Sequence, residues 1–135
     1  MKQITLLLLA FFTMVAYSYG QSVNKAPKIE LLMIDGKKSP SVVPLNPGEK
    51  YLVKVTVTDP EHDVLKAKWE LFEKSELSKA NGEKRKPVAL PDMVTGSLQN
   101  VMLDVPVHPG DYKLTLTVSD SNKNTSTASI ELRVL

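Results

Sequence analysis

The 135-residue sequence has no cysteine, two histidines and one tryptophan, and only 6% of it is aromatic. The absence of cysteine excludes disulfides, a thiolate nucleophile, cysteine zinc sites and the lipid-acceptor cysteine of a bacterial lipoprotein. The two histidines, His62 and His108, offer no H-x-x-x-H or H-E-x-x-H spacing for zinc, and no glycine-serine elbow accompanies them for a Ser-His-Asp hydrolase. Paired carboxylates for sugar hydrolysis would need a cleft, which a small domain with short loops rarely provides. The chain reads as a non-enzyme. Charge of one sign is lacking too: the formal net charge is +2, and the basic run GEKRKP at 82–87 is diluted by Glu76 and Glu83. Neither nucleic acid nor an anionic membrane surface is therefore expected as a partner.

Long apolar runs are confined to the N-terminus. Residues 1–20, MKQITLLLLAFFTMVAYSYG, place Lys2 before an apolar run from Ile4 to about Ala16 and end on Ser18 and Gly20. This is the pattern of a secretory signal peptide cut between Gly20 and Gln21, and the run is shorter than the roughly 20 residues a spanning helix needs. The expectation is an exported protein, periplasmic or extracellular, with no membrane insertion after cleavage. Residues 21–27 read as a leader and 28–135 as one domain, a length that can bury its own core.

Within 28–135, apolar residues alternate with polar ones in six stretches, the signature of strands with one buried face. KIELLMI at 28–34 would put Ile29, Leu31 and Met33 on that face. Tyr51, Val53, Val55 and Val57 do the same in 51–58, and Leu65, Ala67, Trp69 and Leu71 in 65–71. Further stretches are 101–105, 112–118 and 128–134. The separators, such as DPEHD, HPGD and SDSNKN, are rich in turn-forming residues. Residues 74–97 are the exception: a long connection with at most a turn or two of helix and a short edge strand near PVAL at 87–90. The fold class predicted is all-β, an antiparallel sandwich of about seven strands.

The segments VTVTDPEHDVLKAKWEL and PGDYKLTLTVSDSNKNTSTASIELRV resemble the polycystic-kidney-disease-type (PKD) domain and its cadherin-like relatives among the immunoglobulin-like sandwiches. Residues 25–135 as a whole are similar to the C-terminal immunoglobulin-like module of secreted glycoside hydrolases from Bacteroidetes-type bacteria. The resemblance implies a PKD-type sandwich, a non-catalytic monomeric module, and a glycan or an exported protein as partner. A remnant accessory domain of a glycoside hydrolase, with no ligand of its own, is a further reading. Here the signal-like segment leads directly into the module, so a linker role inside a larger enzyme does not carry over.

Trp69 shares parity with Leu65, Ala67 and Leu71, so it is expected in the core and not as a sugar platform. Tyr112 reads as a packing tyrosine whose hydroxyl bonds a nearby turn. Phe72 is then the one aromatic beyond the signal that is expected to be exposed. Asp59, Glu61 and Asp63 alternate in the break between two strands. In such a sandwich this corner lies at the same end as Asn24 of the leader and the turn carrying Asp120, Asn122 and Asn124. Two readings stand. The acids and amides could simply cap their own turns, which is the preferred reading and needs no cofactor. They could also give oxygens to calcium, as some PKD domains do there, making the chain a calcium-stabilised adhesion or structural module. The tentative ligand set is Asn24, Asp59, Glu61, Asp63, Asp120 and Asn122. The sequon NTS at 124–126 is read as accidental.

Overall fold

A computed structural model describes residues 23–135; the expected signal peptide and its cleavage point lie outside the described residues. The chain folds as an immunoglobulin-like β-sandwich of two four-stranded sheets. Its strands are β1 (Lys28–Ile34), β2 (Val43–Leu45), β3 (Lys50–Thr58), β4 (Lys66–Glu73), β5 (Val94–Thr95), β6 (Val101–Asp104), β7 (Gly110–Ser119) and β8 (Thr125–Val134), with one helix, α1 (Lys74–Glu83), between β4 and β5. One sheet has the order β1-β3-β6-β5 and the other β2-β8-β7-β4. Every neighbouring pair is antiparallel except β2 and β8, which run parallel.

Alternation places the core as expected in most strands. Val53 of β3, Tyr112, Leu114, Leu116 and Val118 of β7, and Ile130, Leu132 and Val134 of β8 are buried, while Thr115 and Thr117 of β7 and Glu131 and Arg133 of β8 line the outer face. Burial of these branched side chains supplies about 1.5–3 kcal/mol each against exposure. Tyr112 packs in the core and donates its hydroxyl hydrogen to the carbonyl of His108 at 2.9 Å, so its one polar atom is satisfied.

Five expectations are corrected. In β1 the buried residues are Leu32 and Ile34, whereas Leu31 and Met33 are half-buried on the opposite face. The cause is a bulge: Ile29 faces Val57 and Leu31 faces its neighbour Thr56, leaving Glu30 as an extra residue that inverts the parity after it. The separator before β3 contains a strand of its own, since Val43 and Leu45 are buried and pair with Leu132 and Val134. Near PVAL only Leu90 bridges, to Leu71, and the short strand of that connection lies at β5 instead. Finally, residues 74–83 form a ten-residue helix, and Phe72 is buried, not exposed.

Phe72 lies opposite Leu71 in parity, so it faces outward from its sheet. Helix α1 packs against β4 and β7, and Phe72 and Ala80 are both buried there. A helix this short is marginal by itself. It ends at Lys84, which is left-handed (φ 53°), while the Arg85 amide reaches back to the Ala80 carbonyl at 3.0 Å. The Arg85 guanidinium then grips Glu76 and Glu83, and Glu76 also accepts the Val88 amide at 3.1 Å.

These bonds from Arg85 and Val88 hold the Glu76 carboxyl down at about 2. Because the folded value lies below the ordinary 4.5, the contribution is complete above pH 4.5 and is lost as pH falls toward 2. Glu76→Gln should therefore melt below the parent at neutral pH, with the gap closing between pH 4.5 and 2. A gap that stays constant across that range in melting experiments would refute the tether.

Candidate metal centre

Three strand ends meet at the pole of the sandwich where the chain enters β1. Asp59 follows β3 of one sheet; Asp63 precedes β4 and Asp120 follows β7, both of the other. One carboxylate oxygen from each lies within 4.8 Å of the others. Two ligands of a single calcium ion, at about 2.3–2.6 Å each, can stand no more than about 5 Å apart, so the spacing suits one coordination sphere.

Turn chemistry shapes each corner first. The Asp63 amide donates to Asp59 Oδ2 at 2.5 Å and the His62 amide to the Asp59 carbonyl at 3.1 Å, with His62 left-handed at φ 55°. Asp120 Oδ1 accepts the amides of Asn122 and Asn124 at 2.9 and 2.8 Å, and its Oδ2 accepts the Asn124 side-chain amide at 2.9 Å. Burial pushes the Asp120 carboxyl up, but the bonds from Asn124 and Asn122 outweigh it and hold the group below its ordinary range. Its charge is thereby fixed as negative at neutral pH.

Capping accounts for Asp120 and leaves one atom of Asp59 without a partner. Asp59 is only 9% exposed, and its Oδ1 is buried with no hydrogen bond. A buried carboxylate oxygen without a partner costs roughly 1–3 kcal/mol or more. Moreover, none of the ion pairs among the described residues reaches Asp59, Asp63 or Asp120. Three carboxylates therefore converge with only amide hydrogens between them. A cavity of about 440 Å³, lined by Val64, Lys66, Ser119, Asp120 and Lys123 among others, opens beside the cluster. The donor set is hard oxygen throughout, which fits calcium and not a softer metal.

The other expected ligands are distributed differently. Asn24 joins the network: its Nδ2 donates to Asp63 Oδ2 at 2.7 Å, and its Oδ1 accepts from Asn124 Nδ2 at 2.9 Å. Glu61 is exposed and accepts the Lys25 amide at 3.2 Å, outside the group of three. Asn122 is exposed and contributes its backbone amide to Asp120. Asn124 plays the larger part, bridging Asp120 and Asn24 with one side-chain nitrogen. That nitrogen is the acceptor atom of the NTS sequon, so the network already engages the atom a glycan would need. His62 and His108 are both exposed in turns.

Aromatic platforms are lacking among the described residues. Tyr112 and Phe72 are buried, and Tyr51 and Trp69 pack against the core. Trp69 also donates its indole hydrogen to the Ser97 carbonyl at 2.7 Å. No described helix is long and apolar enough to cross a membrane.

No protein-family model and no curated protein matches this sequence. Among solved structures it is similar to fibronectin(III)-like modules from Clostridium thermocellum, at 12% identity and a TM-score of 0.47 over 84% of this chain and 48% of that one. It is also similar to an alpha-galactosidase candidate from Bacteroides fragilis, at 15% identity and a TM-score of 0.46 over 85% of this chain and 19% of that one. A third is a nucleoside hydrolase-related protein from Saccharophagus degradans associated with carbohydrate metabolism, at 18% identity and a TM-score of 0.44 over 82% and 25%. The chain thus spans between about a fifth and a half of these proteins.

Proposed function

We propose that the chain is an exported, non-catalytic module of PKD type in which Asp59, Asp63 and Asp120 hold a calcium ion that ties the two sheets together at one pole. The observation that carries this reading is Asp59 Oδ1, a buried carboxyl oxygen that the protein itself leaves unpartnered beside two further carboxylates. Calcium would supply the positive charge that the cluster lacks. It would also join the end of β3 in one sheet to the ends flanking β4 and β7 in the other, a structural and not a catalytic task. The sequence resemblance sets such a module in polysaccharide handling. With its aromatic rings packed inward, any glycan or exported protein partner would meet turns and strand faces, not a stacking platform.

The test is thermal melting of the purified protein in chelator and then in millimolar calcium. An ion that binds the folded state alone stabilises it by about 2.7 kcal/mol at a hundred times its dissociation constant. For a domain of this size that is a rise of roughly ten degrees. Identical melting curves, with no heat on calorimetric titration, would reduce the acids to turn caps.

A further inference from the structure

The segment ahead of β1 is bound to the same cluster, and it is bound by little else. Asn24 reaches Asp63 directly and Asp120 through Asn124, while the Lys25 amide donates to Glu61 of the same corner. Beyond these, Pro27 is fully buried and its carbonyl accepts from Ser126 Oγ. Val23, just before the network, is 82% exposed. Asn24 and Lys25 therefore bond to partners that are themselves the candidate ligands or their immediate neighbours, and Ala26 joins them to the buried Pro27.

The Asn24 amide spans two sides of the cluster, the 59–63 corner and the 120–124 turn. With the carboxylates uncompensated, their mutual repulsion pushes those sides apart and weakens a bridge that needs both at hydrogen-bond distance. A cation that draws the carboxylates together sets the spacing that the bridge requires. Building on the calcium reading, we propose that cation occupancy of the Asp59–Asp63–Asp120 cluster latches residues 24–26 onto the sandwich. The ion that joins the sheets then also fixes the direction in which the polypeptide enters β1. Because coupling is reciprocal, the docked segment must raise calcium affinity by the same factor by which calcium favours docking.

Trypsin reads the latch at Lys25, whose carbonyl-side bond lies within the docked segment, with Lys84 and Arg85 after α1 as an internal control far along the chain. The purified protein is digested in chelator and in millimolar calcium, and calcium binding is measured calorimetrically on the same sample. The expected result is heat on titration, cleavage after Lys25 slowed at least tenfold by calcium, and cleavage at 84–85 unchanged. Asn24→Ala should be cut after Lys25 at the fast rate in either condition, and should bind calcium more weakly by the factor that protection has lost. Heat without selective protection of Lys25 overturns the latch and leaves the calcium reading standing. Neither heat nor protection overturns both.

Discussion

Trp69→Ala is expected to cost about 3 kcal/mol, the lower end of the range for deleting a large aromatic, because the ring is only partly buried. Two losses combine. The ring packs against the core from β4, where it faces Leu116 of β7. Its indole hydrogen also anchors the turn between β5 and β6 through the Ser97 carbonyl. That turn is tight: Gly96 has φ +91°, and a Cβ there would stand 2.9 Å from the Asn100 carbonyl oxygen. Trp69→Phe separates the two losses, keeping most of the apolar area and removing the bond, for a cost nearer 1 kcal/mol. Chemical denaturation followed by circular dichroism measures both. If Trp69→Ala unfolds at the parent's midpoint, the ring contributes nothing to the core, and a sugar-facing tryptophan returns to consideration.

The residues show why some of this was legible in advance. In β3 and β8, and in β7 away from α1, one face meets the core and the other meets water, so period-two alternation reports the face without ambiguity. The same rule failed in β1 because Glu30 is an uncounted residue; a bulge leaves no mark in a run of apolar side chains such as Leu31, Leu32, Met33 and Ile34. It failed at Phe72 for a tertiary reason. The outer face of β4 is not solvent at that point, since α1 lies over it, and KSELSKANGE hides its helical nature by burying little more than Ala80. Short β2 escaped notice because three residues, Val43, Pro44 and Leu45, make too brief a pattern and Pro44 looks like a loop residue. At the pole, the convergence of Asp59, Asp63 and Asp120 follows from sandwich connectivity, so the acids could be gathered from the sequence. What alternation and turn chemistry could not reveal is the split within one side chain, with Oδ2 of Asp59 capping its corner and Oδ1 left buried without a partner.

That split leads to the most discriminating expectation. Asp59→Asn should melt higher than the parent in chelator, by several degrees, and should respond to calcium hardly at all. The amide oxygen can still accept the Asp63 amide, as Asp59 Oδ2 does at 2.5 Å. The new NH₂ group replaces an unpartnered buried oxygen with two hydrogens beside the carboxylates of Asp63 and Asp120, and one of three converging negative charges disappears. Relief of an unsatisfied buried charge is worth roughly 1–3 kcal/mol, which for a domain of this size moves the midpoint by about 5–15 °C. In calcium the order should reverse, because the parent gains the ion and the variant has lost a ligand that an amide replaces poorly. A pure cap predicts something else: the variant would lose a charge-assisted bond to the Asp63 amide and melt lower than the parent in both conditions. The crossing of the two melting orders, and not either shift alone, is what separates a carboxylate that turns a corner from one that waits for a cation.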